Sequence, residues 1–167
     1  MKNIIDAGVD YILIETACTK VDALAAIEAA EELIPGYWGI SFSLPENTIG
    51  ILRDGSKISN FVQKLKGAAF VGVNCMDGKN ILPQIKHLRK IIPKNIRISA
   101  YGNIGFWEPP QDYKAGVKKD NTVENEAIYA ACVKQWLDAG ATIIGGCCGT
   151  SPITIRMLHP IVKINQL

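Results

Sequence analysis

Short apolar runs alternate with amphipathic segments along the whole chain. The runs are rich in Ile, Val and Leu and predict buried strands at residues 10–14, 38–44, 69–73, 96–100 and 141–144. The intervening segments place apolar residues at helical spacing and predict helices at residues 20–34, 56–66, 80–92, 122–139 and from 152 onward. Strand and helix repeat without a hairpin signal, so the pattern predicts an α/β fold with a parallel sheet and right-handed crossovers.

Capping residues and prolines mark several boundaries. Thr19 is placed to cap the first helix after a strand, and Ser151 followed by Pro152 begins the last one. Pro160 is expected to break that last helix near His159. The connection at residues 101–121 is expected to be an active-site lid, because a stretch of this length without regular structure is unusual inside a compact domain.

Polar and thiol side chains follow the carboxyl ends of most of the predicted strands. They are Glu15, Asn74 with Cys75, Asn103, and Cys147 with Cys148. An open doubly wound sheet gathers its site at one switch point, whereas a barrel collects contributions from many strand ends. No G-x-G-x-x-G phosphate loop follows the first strand. We therefore predict a partial (β/α)8 TIM barrel of about five βα units with parallel strands.

Composition adds mainly exclusions. The 167 residues are 48% hydrophobic, which is enough for the core of one soluble globular domain. The net charge is +2, from 18 basic and 16 acidic residues spread along the chain, so no nucleic-acid-binding surface is predicted. No run approaches the roughly 20 apolar residues of a membrane span, and no signal-type stretch follows Met1. We expect a cytoplasmic protein that binds neither nucleic acid nor membrane.

The five cysteines do not form the even framework of a small secreted domain, so a reducing compartment fits better. A structural disulfide between the adjacent Cys147 and Cys148 is not expected, because such a ring would be strained. Cys18 and Cys132 are interpreted as small buried hydrophobic residues. The other three cysteines lie at predicted strand ends, and Cys147 and Cys148 also sit among glycines at a strand-to-helix corner, where the helix N-terminus favours a thiolate.

Cys75 and the Cys147-Cys148 pair would meet at the mouth of a barrel. Three thiolates with one open coordination position describe a catalytic Zn²⁺ site, because closed structural sites usually have four protein ligands. A thiol redox module built on Cys147 and Cys148 is the weaker alternative, since the C-x-x-C arrangement is missing.

Several stretches resemble one known family. They are GGCCGT-x-P (145–152), VNC (73–75), DYILIET (10–16), ISFSLPEN (40–47) with RDGSKISNFV (53–62), and N-x-G at 103–105. Together they resemble the homocysteine S-methyltransferase family, zinc-dependent enzymes that make methionine from homocysteine, over essentially the whole chain. The resemblance implies that Cys75, Cys147 and Cys148 bind Zn²⁺ and that Glu15 holds the homocysteine amino group. Asn74 is expected to line the same pocket.

The chemistry implied by this resemblance suits the residues. A free thiol has a pKa near 8.5, so most homocysteine is protonated and a poor nucleophile at neutral pH, and Zn²⁺ coordination removes that proton. No general base is required, and His87 and His159 both fall on predicted helices away from the strand ends. The donor is expected to be S-methylmethionine or S-adenosylmethionine, because the chain lacks room for folate-binding or cobalamin-binding domains.

The chain departs from the family in one respect. Such enzymes form a full eight-unit barrel, and residues 1–167 resemble only a homocysteine-binding domain lacking its three N-terminal βα units. Five strands do not close a barrel and leave open edges, so self-association or a partner chain is expected to complete it. The alternative function is therefore an inactive zinc-binding half-barrel fragment that needs a partner chain.

Overall fold

The computed structural model describes residues 1–104 and 123–164. The described residues form an α/β fold around one parallel sheet. Its strands are β1 (Ile12–Ala17), β2 (Trp38–Phe42), β3 (Phe70–Asp77), β4 (Arg97–Asn103) and β5 (Ile143–Gly146), in the spatial order β1-β2-β3-β4-β5. Each strand is added on the same side of the one before it. A doubly wound sheet reverses this direction at a switch point, so the observed order agrees with part of a (β/α)8 barrel.

The helices connect successive strands, as the sequence pattern predicts. They are α1 (Lys2–Asp6), α2 (Lys20–Leu33), α3 (Gly78–Ile91), α4 (Val123–Asp138) and α5 (Pro152–Ile164), with a 3₁₀ helix at Ile58–Leu65. The Thr19 side chain accepts a hydrogen bond from the backbone N–H of Asp22, so the predicted N-cap of α2 is confirmed. The short helix α1 was not predicted. Among the described residues, no helix is long and apolar enough to cross a membrane.

The hydrophobic core lies between the sheet and the helices. Strand β2 lies wholly within this core, since all five residues of the strand are buried. Trp38, Ile40 and Phe42 alternate along β2 and belong to the same buried cluster as Ile85 of α3 and Trp136 of α4. The residue between Ile40 and Phe42 is a serine whose side chain must point to the opposite face, because side chains alternate along a strand. That face therefore carries polar groups where the inside of a barrel would be.

Two predicted helices differ in detail from the sequence pattern. The helix predicted for residues 56–66 is present at Ile58–Leu65 as a 3₁₀ helix with a kink at Phe61 (φ −131°, ψ 19°). Ile58 and Phe61 are both buried, and their three-residue spacing aligns them on one side of a 3₁₀ turn. The helix α5 continues through Pro160, where a break near His159 was predicted. A proline removes one backbone donor, and packing of α5 against α4 holds the remaining turns in place.

Strand β1 is less buried than the apolar run predicts. It pairs only with β2 among the described strands, and the side chain of Leu13 is 42% exposed. Ile12 is buried, so one face of β1 contributes to the core while the other is open. The lid predicted for residues 101–121 lies largely outside the described residues, and residues 101–104 belong to the end of β4 and its exit.

Candidate metal centre

Three cysteine side chains meet at the carboxyl edge of the sheet. The Sγ atoms of Cys75, Cys147 and Cys148 all lie within 4.8 Å of one another, and 3.8 Å separates the Sγ atoms of Cys75 and Cys148. In a tetrahedral site, Zn–S bonds of about 2.3 Å place two sulfurs about 3.8 Å apart. The three half-buried thiols therefore fit a Zn²⁺ ion with one position left for a further ligand. Their role as zinc ligands stays a prediction.

An unusual backbone conformation aims Cys75 at the other two thiols. Cys75 has φ 54°, in the left-handed region that non-glycine residues rarely adopt. The pairing of β3 with β4 is irregular between Asn74 and Asp77, as in a β-bulge, which redirects a side chain at the end of a strand. The Ser43 hydroxyl donates to the Cys75 carbonyl at 3.4 Å and helps to hold this turn.

The turn that carries Cys147 and Cys148 is held mainly by the end of β4. The Cys147 N–H donates to the Gly102 carbonyl (2.8 Å), and the Cys148 N–H donates to Oδ1 of Asn103 (3.1 Å). In return, the Ile104 N–H donates to the Cys148 carbonyl at 2.9 Å. At Gly149, where φ is 77°, a Cβ atom would overlap the Ile104 carbonyl oxygen, so only glycine fits. The predicted strand-to-helix corner is thus a turn fastened to the neighbouring strand.

Asn74 joins the tips of the first three strands. Its side chain is fully buried, and its Oδ1 accepts from the Thr16 N–H (3.2 Å) and from the Ser41 hydroxyl (2.8 Å). Its Nδ2 donates to the Thr16 hydroxyl at 2.7 Å. Thr16 has φ 57°, a strained value for a β-branched residue, and it directly follows Glu15. These contacts support a role for Asn74 in fixing the β1 tip, and direct contact of Asn74 with substrate stays a prediction.

Glu15 lies at the β1 tip and is exposed. Its charge acts on Tyr101 of β4, whose pKa is raised to about 12, first by burial and further by the negative charges of Glu15 and Cys147, against the lowering effect of the Ser41 hydroxyl. A carboxylate and a thiol of the cysteine cluster thus both influence one buried phenol. Glu15 and Cys147 therefore both raise the pKa of Tyr101, and both lie at the carboxyl ends of their strands.

The electrostatics of the cluster oppose ionisation of its thiols. Burial raises the pKa of Cys75 to about 12, and the neighbouring charges of Cys147 and Cys148 add to the shift. The pKa of Cys147 is also raised, by burial first and then by Cys148. Like charges held this close cannot all ionise without a cation among them. The cluster is therefore suited to bind a cation that replaces the thiol protons.

We expect zinc affinity to rise steeply with pH. Zinc binds thiolates, and both Cys75 and Cys147 are protonated at neutral pH because their pKa values are raised, so binding must release their protons. With at least these two protons released, the association constant should rise at least about a hundredfold per pH unit. Competition titrations against a chelator at pH 6, 7 and 8 measure this dependence, after correction for protonation of the chelator. An affinity that does not change with pH would contradict the raised pKa values.

The remaining cysteines lie apart from the cluster. Cys18 and Cys132 are half-buried rather than fully buried, and the Cys18 thiol donates to the Thr16 carbonyl at 3.3 Å. Two residues near the cluster were missed as supports, namely Asn103 and Thr150, whose hydroxyl donates to the Cys147 carbonyl at 2.7 Å. The sequence identifies Asn103 only as a strand-end residue and as part of a motif. Its position at a strand end was a usable signal, whereas its partner depends on how β4 and β5 align.

The fold and the site together define a class of protein: an α/β chain of the TIM-barrel type with a thiol cluster that could hold a metal ion. The model of the homocysteine S-methyltransferase family matches residues 1–162, so the chain belongs to this family. Homocysteine S-methyltransferase 2 of Arabidopsis thaliana is 30% identical over 160 residues, which are 92% of this chain and 45% of the relative. Homocysteine S-methyltransferase YbgG of Bacillus subtilis is 30% identical over 159 residues, with 93% and 48% covered.

A solved structure agrees with the fold. The metallated form of the homocysteine methyltransferase MmuM from Escherichia coli superposes with a TM-score of 0.70 at 25% identity, covering 95% of this chain and 47% of MmuM. The predicted family and the α/β, barrel-type fold are confirmed. The chain spans about half the length of the relatives that it matches.

Proposed function

We propose that this chain supplies the metal-binding and homocysteine-binding part of an enzyme that transfers a methyl group to the thiol of homocysteine, giving methionine. The observation that carries the proposal is the convergence of three thiols from two strand ends on one point at the carboxyl edge of the sheet. Barrel enzymes bind their substrates at this edge. Family membership and the metallated relative support the same function.

The proposed metal ligands are Cys75, Cys147 and Cys148. When Zn²⁺ is bound, it lowers the pKa of a thiol that takes the fourth position and fixes the direction of that sulfur. With three protein thiolates the charge of the centre is negative, which keeps a bound sulfur electron-rich. The protein's part is to hold the three thiols at the distances described above and to leave one side of the cluster open.

Glu15 is proposed to bind the ammonium group of homocysteine. It is an exposed carboxylate at the β1 tip, and it influences the same buried Tyr101 as Cys147 does. An amino acid bound between a carboxylate and the thiol cluster would have its amino end and its sulfur end fixed together. Asn74 serves this arrangement through Thr16, the residue after Glu15, to which it is hydrogen bonded.

The proposed donor is S-methylmethionine or S-adenosylmethionine. The lone pair of the homocysteine sulfur forms the new S–CH3 bond while the methyl–sulfur bond of the sulfonium donor breaks, and the electron pair of that bond neutralises the donor sulfur. The thiol proton leaves to solvent, so no general base is needed. The contribution of the protein is proximity and in-line orientation of the two sulfurs.

A second candidate is a zinc-binding half-barrel that is inactive until a partner chain, or a second copy, completes it. The open face of β1, on which Leu13 is 42% exposed, favours this reading. The chain also spans about half the length of its relatives. The two candidates share the metal centre and differ only in whether the chain turns over alone.

Methionine formation from homocysteine and S-methylmethionine tests the proposal. We expect the zinc-loaded chain to produce methionine, and we expect Glu15→Gln to raise the KM for homocysteine by about ten- to a hundredfold with a smaller change in kcat. This range corresponds to loss of a charged hydrogen bond worth about 1.5–3 kcal/mol. Glu32→Gln, on the exposed side of α2, is the matched control and should leave both constants unchanged.

The outcomes separate the two candidates. Zinc binding without methionine formation would favour the inactive half-barrel, and activity that appears on mixing with a partner chain would establish it. A chain that binds no zinc at any pH from 6 to 8 would contradict both.

A further inference from the structure

The backbone of the Cys147-Cys148 turn is hydrogen bonded at every polar group. The Cys147 N–H and carbonyl bond to Gly102 and to Thr150, and the Cys148 N–H and carbonyl bond to Asn103 and to Ile104. Two of these groups are side chains. The Thr150 hydroxyl follows the cysteines in the chain, whereas the Asn103 carboxamide belongs to the neighbouring strand β4. Asn103 is therefore the side chain through which the neighbouring strand β4 holds the turn, and a substitution there leaves the backbone pairing uncut.

These hydrogen bonds matter most for the position of the Cys148 thiol. Its Sγ lies 3.8 Å from that of Cys75, the distance expected for two ligands of one tetrahedral metal. The Cys148 backbone is held at two points by the end of β4 and the residue after it. The Cys148 N–H donates to the Asn103 Oδ1, and the Ile104 N–H donates to the Cys148 carbonyl. The Cys148 N–H belongs to the same planar peptide group as the Cys147 carbonyl, which accepts from Thr150, so Asn103 and Thr150 hold this peptide group from opposite sides and together define the Cα–Cβ direction of Cys148.

We infer that Asn103 is a positioning residue for the metal centre. It accepts a hydrogen bond from the Cys148 N–H and thereby aims the Cys148 thiolate at the ion held with Cys75 and Cys147. The inference rests on the proposed function, because it takes these cysteines as metal ligands. Asn103 is not itself a ligand in this assignment. Groups that orient metal ligands from behind typically affect metal affinity by about 10- to 100-fold.

The test compares zinc affinity and Co²⁺ spectra of the full chain and its variants. Asn103→Ala is expected to lower zinc affinity about tenfold and to shift or weaken the ligand-field bands of the Co²⁺-substituted protein, because the Cys148 sulfur moves from its tetrahedral position. Asn103→Asp keeps an oxygen acceptor at the same place and should bind zinc at least as tightly as the unsubstituted chain. This recovery would show that the acceptor, not the bulk of the side chain, is required.

A core substitution separates positioning from general destabilisation. Leu88→Ala truncates a fully buried side chain near the end of α3, and the hydrogen bonds of the cysteine turn described above do not involve this helix. If Asn103→Ala weakens zinc binding while Leu88→Ala, at equal or greater loss of thermal stability, does not, the inference stands. Equal weakening in both variants, or unchanged affinity in Asn103→Ala, would overturn it. If the unsubstituted chain binds no zinc, the proposed function fails and the inference falls with it, which is a distinct result.

Discussion

Replacing Cys147 by serine is expected to lower zinc affinity by about two to three orders of magnitude. Structural zinc sites bind with about 10–16 kcal/mol across four ligands, so each ligand accounts for about 2.5–4 kcal/mol, and 1.4 kcal/mol is a factor of ten. A serine hydroxyl stays protonated at neutral pH and is a poor ligand for zinc. The backbone N–H and carbonyl of residue 147 bond to Gly102 and to Thr150, and neither contact needs the sulfur, so the turn itself should persist.

Zinc content per chain and chelator competition measure this loss, and circular dichroism checks that the fold is retained. Cys132→Ser and Cys18→Ser are the matched controls, because both are half-buried free thiols outside the cluster. They should bind one zinc per chain, as is expected of the unsubstituted protein. Unchanged zinc affinity in Cys147→Ser, or an equal loss in the two controls, would place the metal elsewhere. Activity with homocysteine should fall in proportion to zinc occupancy if the proposed function is correct.

The cysteine cluster was predictable because its geometry follows from topology. In a parallel sheet all carboxyl ends lie on one edge, so Cys75 after one strand and the Cys147-Cys148 pair after another must share that edge. The sheet order adds that β3 and β5 are separated only by β4, which keeps the two groups within reach of each other. Neither step needs a knowledge of side-chain conformation.

The close approach of the sulfurs was not predictable in the same way. It depends on the left-handed backbone of Cys75 and on the irregular pairing of β3 with β4 beside it. Such conformations are usually signalled by glycine or asparagine, and neither occupies position 75. The strained conformation of Cys75 is stabilised by tertiary contacts from Ser43 and from the neighbouring strand. The local sequence does not indicate these contacts.

The differences in the helices have a similar origin. The apolar spacing of three and four residues at Ile58, Phe61 and Leu65 indicates a buried helical face, and the kink at Phe61 lets short 3₁₀ turns bury the same three residues. At Pro160 the local rule predicts a break, and packing of α5 on α4 overrides it. Both differences concern local geometry, and neither moves a residue of the candidate site.

The site joins two strained positions through one buried side chain. Thr16 and Cys75 both have positive φ, and each costs of the order of 1–3 kcal/mol unless its surroundings compensate. Asn74 directly precedes Cys75 and bonds both the N–H and the hydroxyl of Thr16. The proposed substrate anchor and one proposed metal ligand are therefore set by a shared support, so that a disturbance of either reaches the other.

Replacing Asn74 by alanine is accordingly expected to lower the free energy of unfolding of the metal-free chain by about 2–4 kcal/mol. The change removes three hydrogen bonds worth about 1 kcal/mol each and leaves the fully buried Ser41 hydroxyl without this partner, while Thr16 loses two hydrogen bonds at an exposed position. It also frees Thr16 to leave its strained conformation, so Glu15 should lose its fixed direction. Urea denaturation followed by circular dichroism measures the loss.

Asn60→Ala, at an exposed position of the 3₁₀ helix, is the matched control and should change stability by less than about 0.5 kcal/mol. The size of the effect also decides between the two roles open to Asn74. A support for the β1 tip must show its main effect on stability in the absence of any ligand. A residue that only contacted homocysteine would leave the stability of the free protein near that of the control and would raise the KM alone. A loss below about 1 kcal/mol would therefore argue that the three strand tips are held together by the sheet itself and not by this carboxamide.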